Sequence, residues 1–277
     1  MKNIGLLFPF LRLCFTNTSE VMKNLYNFTV VTKSKNMVSQ KFGLPKGLPT
    51  IDILELFPDL NETIENYTFL EGTSRITDIT ILKLLAKRFE NARYLEFGTW
   101  RGESISNVAR VAKECYSISF SEKEMRAFGI GENSIKVSRM FSKGLSNVHH
   151  IEHNSQTYDF SKLEKTFDLV FVDADHKYEG VKIDTKNAFK LLKDENSILV
   201  WHDIGKGLEE LSNWEVLAGV LDGAPSDEHR RKIYRISNSL CGIYMNGSFK
   251  SSFPEPFVPN KTFDIQIKAR SLSSQSV

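Results

Sequence analysis

An open α/β sheet, mainly parallel and with helices on both faces, is the fold class this sequence predicts, and three observations predict it. From Asp78 onward, short apolar runs suited to strands alternate with segments of helical period. Two of those runs, FDLVFVD and SILVWHD, are apolar almost throughout, as strands covered on both faces must be. With 277 residues, 41% of them hydrophobic and 25% charged, the chain can bury one large core or two modest ones.

Residues 1 to about 75 carry no sustained period, only Phe-rich patches and the turn-prone stretch FGLPKGLPT, so residues 1–76 are read as an N-terminal extension or lid. A helix is expected over TDITILKLLAKRFE, where Ile81, Leu84, Leu85 and Phe89 recur at helical spacing and Thr77 or Asp78 serves as N-cap. The first strand is ARYLEF. The turn GTWRG leads into a helix, ESISNVARVAKE, whose Ile105, Val108, Val111 and Ala112 form one stripe. Next come the strand CYSISF, a helical region through KVSRMFSKG, and the strands NVHHIEH and FDLVFVD.

The helix YEGVKIDTKNAFKLLKD, with Val181, Ala188, Phe189 and Leu192 on one face, precedes the strand SILVWHD. After Trp214 the helix EVLAGVLDG stops at Gly223 and Pro225, and KIYRI and LCGIYM read as an antiparallel hairpin. The count is seven strands with a reversed one near the C-terminal end, in a domain over residues 77–246. The tail, residues 247–277, offers FDIQIKA as one extra strand and SLSSQSV as a disordered end.

Lys plus Arg at 36 against Asp plus Glu at 34 leaves a net charge of +2, so no global field argues for nucleic acid or an anionic membrane as partner. Cys14, Cys115 and Cys241 lie too far apart for a CxxC pair or a disulfide framework. The apolar opening GLLFPFLRLCF is interrupted by Pro9 and Arg12, falls short of the ~20 residues of a membrane helix and lacks a small-residue cleavage site. A cytoplasmic location is the expectation.

In open α/β sheets the ligand site lies beyond the carboxyl ends of the strands. The first strand closes as LEFGTWRGES, which supplies a carboxylate at Glu96, glycines at 98 and 102 for close backbone approach, and a helix start near Ser104. This turn is neither the G-x-G-x-x-G of dinucleotide folds nor a G-K-[ST] phosphate loop. The strand FDLVFVD puts Asp173 at its tip, followed by Asp175 and His176, and SILVWHD ends in His202 and Asp203. Parallel neighbours stand ~4.8 Å apart, so these groups can meet across one crevice. Carboxylates gathered there repel one another unless a cation or a proton balances them, and a divalent ion is the simplest resolution. An oxygen-rich set suits Mg²⁺ or Ca²⁺; with His202 or His176 included it also suits Mn²⁺ or Fe²⁺. The plainer alternative has Asp203 capping a loop and His202 hydrogen-bonding inside the core.

At these residues the chain resembles the class I S-adenosylmethionine-dependent methyltransferases, in the branch whose motifs read E-x-G-T-x-x-G-x-S and D-x-D-H-x-Y-E-G-V and which ends later in H-D. The resemblance runs from about Thr77 to Tyr244. It implies the Rossmann-like seven-stranded sheet of that class, with Glu96, Gly98, Thr99, Gly102 and Ser104 at the methionine end of S-adenosylmethionine. Asn154 and Ser155 then fall at the adenine. Trp100 replaces the middle glycine of the general motif, and the acidic residue that would grip the ribose is missing after CYSISF, with Glu122 or Glu124 as substitutes.

By the same resemblance to metal-dependent O-methyltransferases, Asp173, His202 and Asp203 bind Mg²⁺ or another divalent metal, and Asp175 or, alternatively, His176 is the general base. The implied reaction moves the sulfonium methyl to a hydroxyl of a small-molecule acceptor, with sugars or glycans favoured by analogy and self-association into a homo-oligomer left open. Two other readings use the same sheet: a hydroxylase-like iron enzyme, and a non-catalytic module that retains the cofactor pocket. The strand histidines His149, His150 and His153 are read as packed or surface residues, and the basic run from His229 to Arg235 as a solvated helix end. Trp201 is assigned to the core.

Overall fold

The computed structural model describes residues 16–206, 212–253, 255 and 258–272. The apolar opening and the SLSSQSV end fall outside the described residues, apart from Ser271 and Leu272. Among the described residues nine strands form one sheet: β1 (Thr50–Ile51), β2 (Arg93–Phe97), β3 (Glu114–Ser119), β4 (Val148–Glu152), β5 (Leu169–Val172), β6 (Ile198–Trp201), β7 (Ile233–Ile236), β8 (Gly242–Tyr244) and β9 (Ser251–Ser252). Their order is β4-β3-β2-β5-β6-β8-β7-β1-β9. The seven expected strands are all present, and β8 is the reversed one, antiparallel to both β6 and β7.

The two additional strands correct the count of seven. β1 pairs parallel with β7, and β9 pairs antiparallel with β1. The part of the N-terminal region that is described therefore does more than precede the domain, because Thr50 and Ile51 enter its sheet. The helix α1 (Thr18–Phe42), for which no apolar stripe was read, packs on α8 (Trp214–Gly223). FDIQIKA is not a strand; the tail contributes Ser251–Ser252 instead.

Between α1 and α8 the helices are α2 (Ile53–Leu56), α3 (Ile76–Ala86), α4 (Glu103–Val108), α5 (Glu122–Ala127), α6 (Glu132–Lys136) and α7 (Tyr178–Lys190); α9 (Asp227–Arg231) follows α8. The expected helix over ESISNVARVAKE is cut to α4, and the region through KVSRMFSKG is mostly turns. Arg139 there takes a left-handed φ of 60°, and Arg139 N–H and Phe141 N–H donate to the carbonyls of Trp100 and Arg101 rather than to a helix.

Period-two alternation sorts the strand side chains into two cores. Leu95, Phe97, Val170, Val172, Leu199 and Trp201 pack with α7 and α8, while Tyr94, Phe171 and Val200 pack with Ile81 and Leu85 of α3 and Ile105 of α4. The register pairs Ile118 with Phe97, Phe97 with Val172 and Val172 with Trp201. The residues that follow, Ser119, Gly98, Asp173 and His202, thus stand side by side along one carboxyl rim.

Candidate functional site

A cavity of about 730 Å³ opens on that rim, lined by Thr99, Ser104, Ser119, Asn154, Asp173 and Asp203 among others. Gly98, Gly102, Ser155, Asp175, His176 and His202 also reach it, so eleven of the twelve residues predicted for the site line one pocket. The exception is Glu96. It is fully buried one layer below, because it shares a strand face with Tyr94 and lies under α4. Its carboxylate accepts from Tyr94 Oη at 2.8 Å, Thr99 Oγ1 at 2.8 Å and Ser104 Oγ at 2.6 Å. Burial pushes Glu96 up to about 7, against the pull of those three hydroxyls. Glu96, expected at the methionine end of the cofactor, therefore stands behind Thr99 and Ser104, which line the cavity. Thr99 and Ser104, both in the cavity lining, spend their protons on Glu96, which leaves their oxygens able to act only as acceptors.

The turn between β2 and α4 needs its glycines. Gly98 has φ +84°, and a Cβ there would sit 2.3 Å from the Asp173 carbonyl; Gly102 has φ +85°, with Ser142 Oγ 2.4 Å from the corresponding point. Trp100 contributes a ring to the cavity wall, Trp201 is core with Nε1 donating to Thr185 Oγ1, and Trp214 stands elsewhere beneath Lys35.

On the other wall, Asp173, His176 and Asp203 each present a ligand atom within 4.8 Å of the others, a group able to hold a metal ion. His176 Nδ1 is 2.8 Å from Asp203 Oδ2, which raises the histidine and holds Asp203 well below the usual carboxylate range. Asp203 keeps this pose at a left-handed φ of 55°, a conformation that Asp tolerates better than most residues. His202 stands at the β6 tip and lines the same cavity. Its Nδ1 lies 3.3 Å from both Asp173 Oδ1 and Asp203 Oδ1, and its Nε2 lies 3.0 Å from Asp78 Oδ2. Asp173 and Asp203 of the predicted trio thus join His176 in that group, and His202, which lines the same cavity, stands against both carboxylates. Two oxygens and one imidazole nitrogen fit Mg²⁺ or Mn²⁺.

Asp175 accepts from Gln156 Nε2 at 2.8 Å and from Lys177 N–H at 2.8 Å, which fixes its carboxylate at the cavity edge. The substitutes for a ribose-gripping acid are engaged elsewhere. Glu124 accepts from Ser121 N–H and Oγ and from Asn154 N–H, and Glu122 pairs with Arg126 on the surface. The group that does face this part of the cavity is Ser119, whose buried Oγ has no hydrogen-bond partner among the described residues. An orphaned hydroxyl is what a ligand hydroxyl would satisfy.

Sequence reasoning missed Ser119, Gln156 and Asp78, and discounted His153, which lines the cavity with Nδ1 3.0 Å from the Asn154 carbonyl. It also set aside the basic run, where Arg230 lies over the Phe42 ring and Arg235 is buried rather than solvated. Asp78 is an N3 residue of α3 rather than its N-cap, which is Arg75. No helix among the described residues is long and apolar enough to cross a membrane.

Residues 95–204 match the family described as a methyltransferase domain, an interval that contains every predicted site residue from Glu96 to Asp203 and bears out the resemblance read from the motifs. Nuclear RNA export factor 2 of Drosophila melanogaster is 30% identical over 184 residues, covering 65% of this chain and 20% of that protein. The chain therefore spans about a fifth of the length of that relative. Among solved structures, an O-methyltransferase from Bacillus cereus in complex with SAH is 17% identical, covers 63% of this chain and 81% of its own, and has a TM-score of 0.42. The SAH-bound methyltransferase of Podospora anserina is 18% identical, with coverages of 63% and 80% and a TM-score of 0.45.

Proposed function

We propose that this chain, which carries a methyltransferase domain at residues 95–204, transfers the methyl group of S-adenosylmethionine to a hydroxyl of a small molecule, a sugar or glycan being the favoured acceptor. One observation carries the reading: the hydroxyl pair Thr99 and Ser104, backed by Glu96, opens into the same cavity as the Asp173, His176 and Asp203 cluster. The first suits the ammonium group of the cofactor's methionine, and the second suits an oxygen nucleophile.

The sulfonium already carries an activated methyl, so the protein has to align the acceptor oxygen and take its proton. When the cofactor is bound, Gly98 and Gly102 would allow the backbone close to its methionine end, Ser119 Oγ would be free to bond a ribose hydroxyl, and Asn154 and Ser155 would border the adenine. Asp173, Asp203 and His176 would hold a divalent ion, which when bound would supply positive charge to lower the pKa of the acceptor hydroxyl. Asp175, steadied by Gln156, is the proton acceptor. Trp100 and the polar side chains in the cavity lining favour a polyhydroxylated acceptor.

The test is calorimetric titration with S-adenosylmethionine, with and without Mn²⁺, in the wild type and in Asp173→Ala, followed by turnover on a panel of hydroxyl acceptors. Binding in both proteins, a metal response confined to the wild type and turnover abolished by chelator are expected. A wild type that does not bind the cofactor would refute the transferase reading; a metal response retained in Asp173→Ala would remove the metal from it.

A further inference from the structure

Asp78 lies outside the interval 95–204 and outside the cavity lining, yet its carboxylate touches the site from behind. It is fully buried in α3. Oδ1 accepts from Leu240 N–H at 2.9 Å, in the turn between β7 and β8, and Oδ2 accepts from Arg75 N–H at 2.9 Å. The remaining bond of Oδ2 is to His202 Nε2 at 3.0 Å. Two fixed backbone donors leave this carboxylate no freedom to turn, so the imidazole must follow it. His202 is itself nearly buried, with a side chain 10% exposed, and is braced edge-on by Phe171 at 6.0 Å.

The sheet explains why the two meet. Val200 and His202 share the strand face covered by α3, and the N-terminal turn of α3 ends over the carboxyl rim. With Nε2–H given to Asp78, the other ring nitrogen faces outward, 3.3 Å from one oxygen of Asp173 and 3.3 Å from one of Asp203. Those carboxylates supply two of the three metal-binding atoms.

We infer that Asp78 is a positioning residue for the metal cluster: it holds His202 in the one ring orientation that sets the spacing of Asp173 and Asp203 for a divalent ion. The inference rests on the metal part of the proposed function. Asp78 stands two contacts from the metal-binding carboxylates, through His202, and outer groups of this kind govern affinity by keeping the ligands in place rather than by touching the ion.

The experiment is a double-mutant cycle on the full chain, read by Mn²⁺ affinity from electron paramagnetic resonance, with no cofactor or acceptor present. Asp78→Asn keeps the size of the side chain and is expected to weaken Mn²⁺ binding about 10- to 100-fold. In the His202→Asn background the same change is expected to have no further effect, since the route from Asp78 to the ion is then cut. Thermal melts of all four proteins separate loss of fold from loss of site: a merely structural Asp78 would lower the melting temperature and leave Mn²⁺ affinity unchanged below it. That result overturns the inference, as does a loss of affinity of equal size in both backgrounds. A wild type that binds no Mn²⁺ overturns the metal reading itself and this inference with it; should Asp78→Asn not fold, Asp78→Glu is substituted and judged by the same cycle.

Discussion

Ser104 Oγ donates to Glu96 Oε2 at 2.6 Å, from the first turn of α4 to a carboxylate that solvent does not reach. The bond decides what the cavity wall offers: an ionised Glu96 draws the Ser104 and Thr99 protons inward and leaves two oxygens as acceptors for a cation. Glu96 is pushed up to about 7 by burial, so near neutrality this arrangement is only partly formed. A cationic ligand favours the ionised form, and binding below pH 7 must release the proton. Affinity for S-adenosylmethionine is therefore expected to rise about tenfold per pH unit up to pH 7 and to level off above it. Calorimetry across pH 5.5–8.5 checks this, and in Glu96→Gln the slope is expected to vanish; a slope retained in that variant would assign the proton to another group.

Gly98 and Gly43 share a left-handed backbone, with φ of 84° and 69°, but only Gly98 is crowded. A Cβ at Gly98 would lie 2.3 Å from the Asp173 carbonyl, whereas nothing lies within 4 Å of one at Gly43. Gly43→Ala is expected to cost about 1–2 kcal/mol, the conformational term alone. Gly98→Ala adds displacement of the β5 tip and is expected to cost at least about 2 kcal/mol more, with loss of cofactor binding. Urea denaturation of the two variants gives the difference, and equal costs would mean that the close approach of the two strand ends is not needed.

Much of this site could be read from the strand tips, because parallel register carries residues distant in sequence to one rim. Depth could not be read. Glu96 stood out as a carboxylate at a strand end, but whether it lines the cavity or lies under it depends on α4 packing over Tyr94. Asp78 looked like a helix cap, which in part it is, since its carboxylate accepts from Arg75 N–H. Its reach to His202 and Leu240 joins residues more than 120 positions apart, and no local pattern encodes that. β1 and β9 are two residues each, too short for any alternation to show. α1 escaped notice because its buried residues are Ser34 and Val38 while Met22, Tyr26 and Phe28 are exposed.

Asp184 in α7 is fully buried, near Asp175, and burial pushes its carboxyl up to about 7. Below about pH 4 it is protonated in folded and unfolded chains alike and contributes nothing to pH dependence. Between pH 4 and pH 7 the unfolded chain ionises while the folded one keeps its proton, so stability falls as pH rises, and the cost is complete above pH 7. Asp184→Asn is accordingly expected to be close to neutral at pH 4 and to stabilise the fold by a few kcal/mol at pH 8. Denaturation at the two pH values measures this; a gain independent of pH would mean that ionisation of Asp184 is not its source.

The segment before α3 is held to α4 and the turn before it by polar ties. Asn107 Oδ1 accepts from Glu65 N–H at 2.9 Å and its Nδ2 donates to the Glu65 carbonyl at 2.6 Å, while Glu103 Oε1 accepts from Thr68 N–H at 3.1 Å and from its hydroxyl at 2.5 Å. Arg101, paired with Glu103, reaches the Glu71 carbonyl and Thr73. Phe69 and Leu70 in the same stretch are exposed, so little apolar burial supports it. A segment held this way opens locally at a free energy set by its few bonds rather than by global unfolding. Removing the Asn107 pair is expected to lower that opening energy by about 1–3 kcal/mol, which raises amide exchange at Glu65 and Thr68 roughly 5- to 150-fold. Hydrogen exchange of Asn107→Ala, followed by mass spectrometry, tests this against β5 and β6 as internal standards. Exchange that rises equally in those strands would show that Asn107 supports the whole domain, and exchange unchanged at Glu65 would show that Glu103 and Arg101 hold the segment without it.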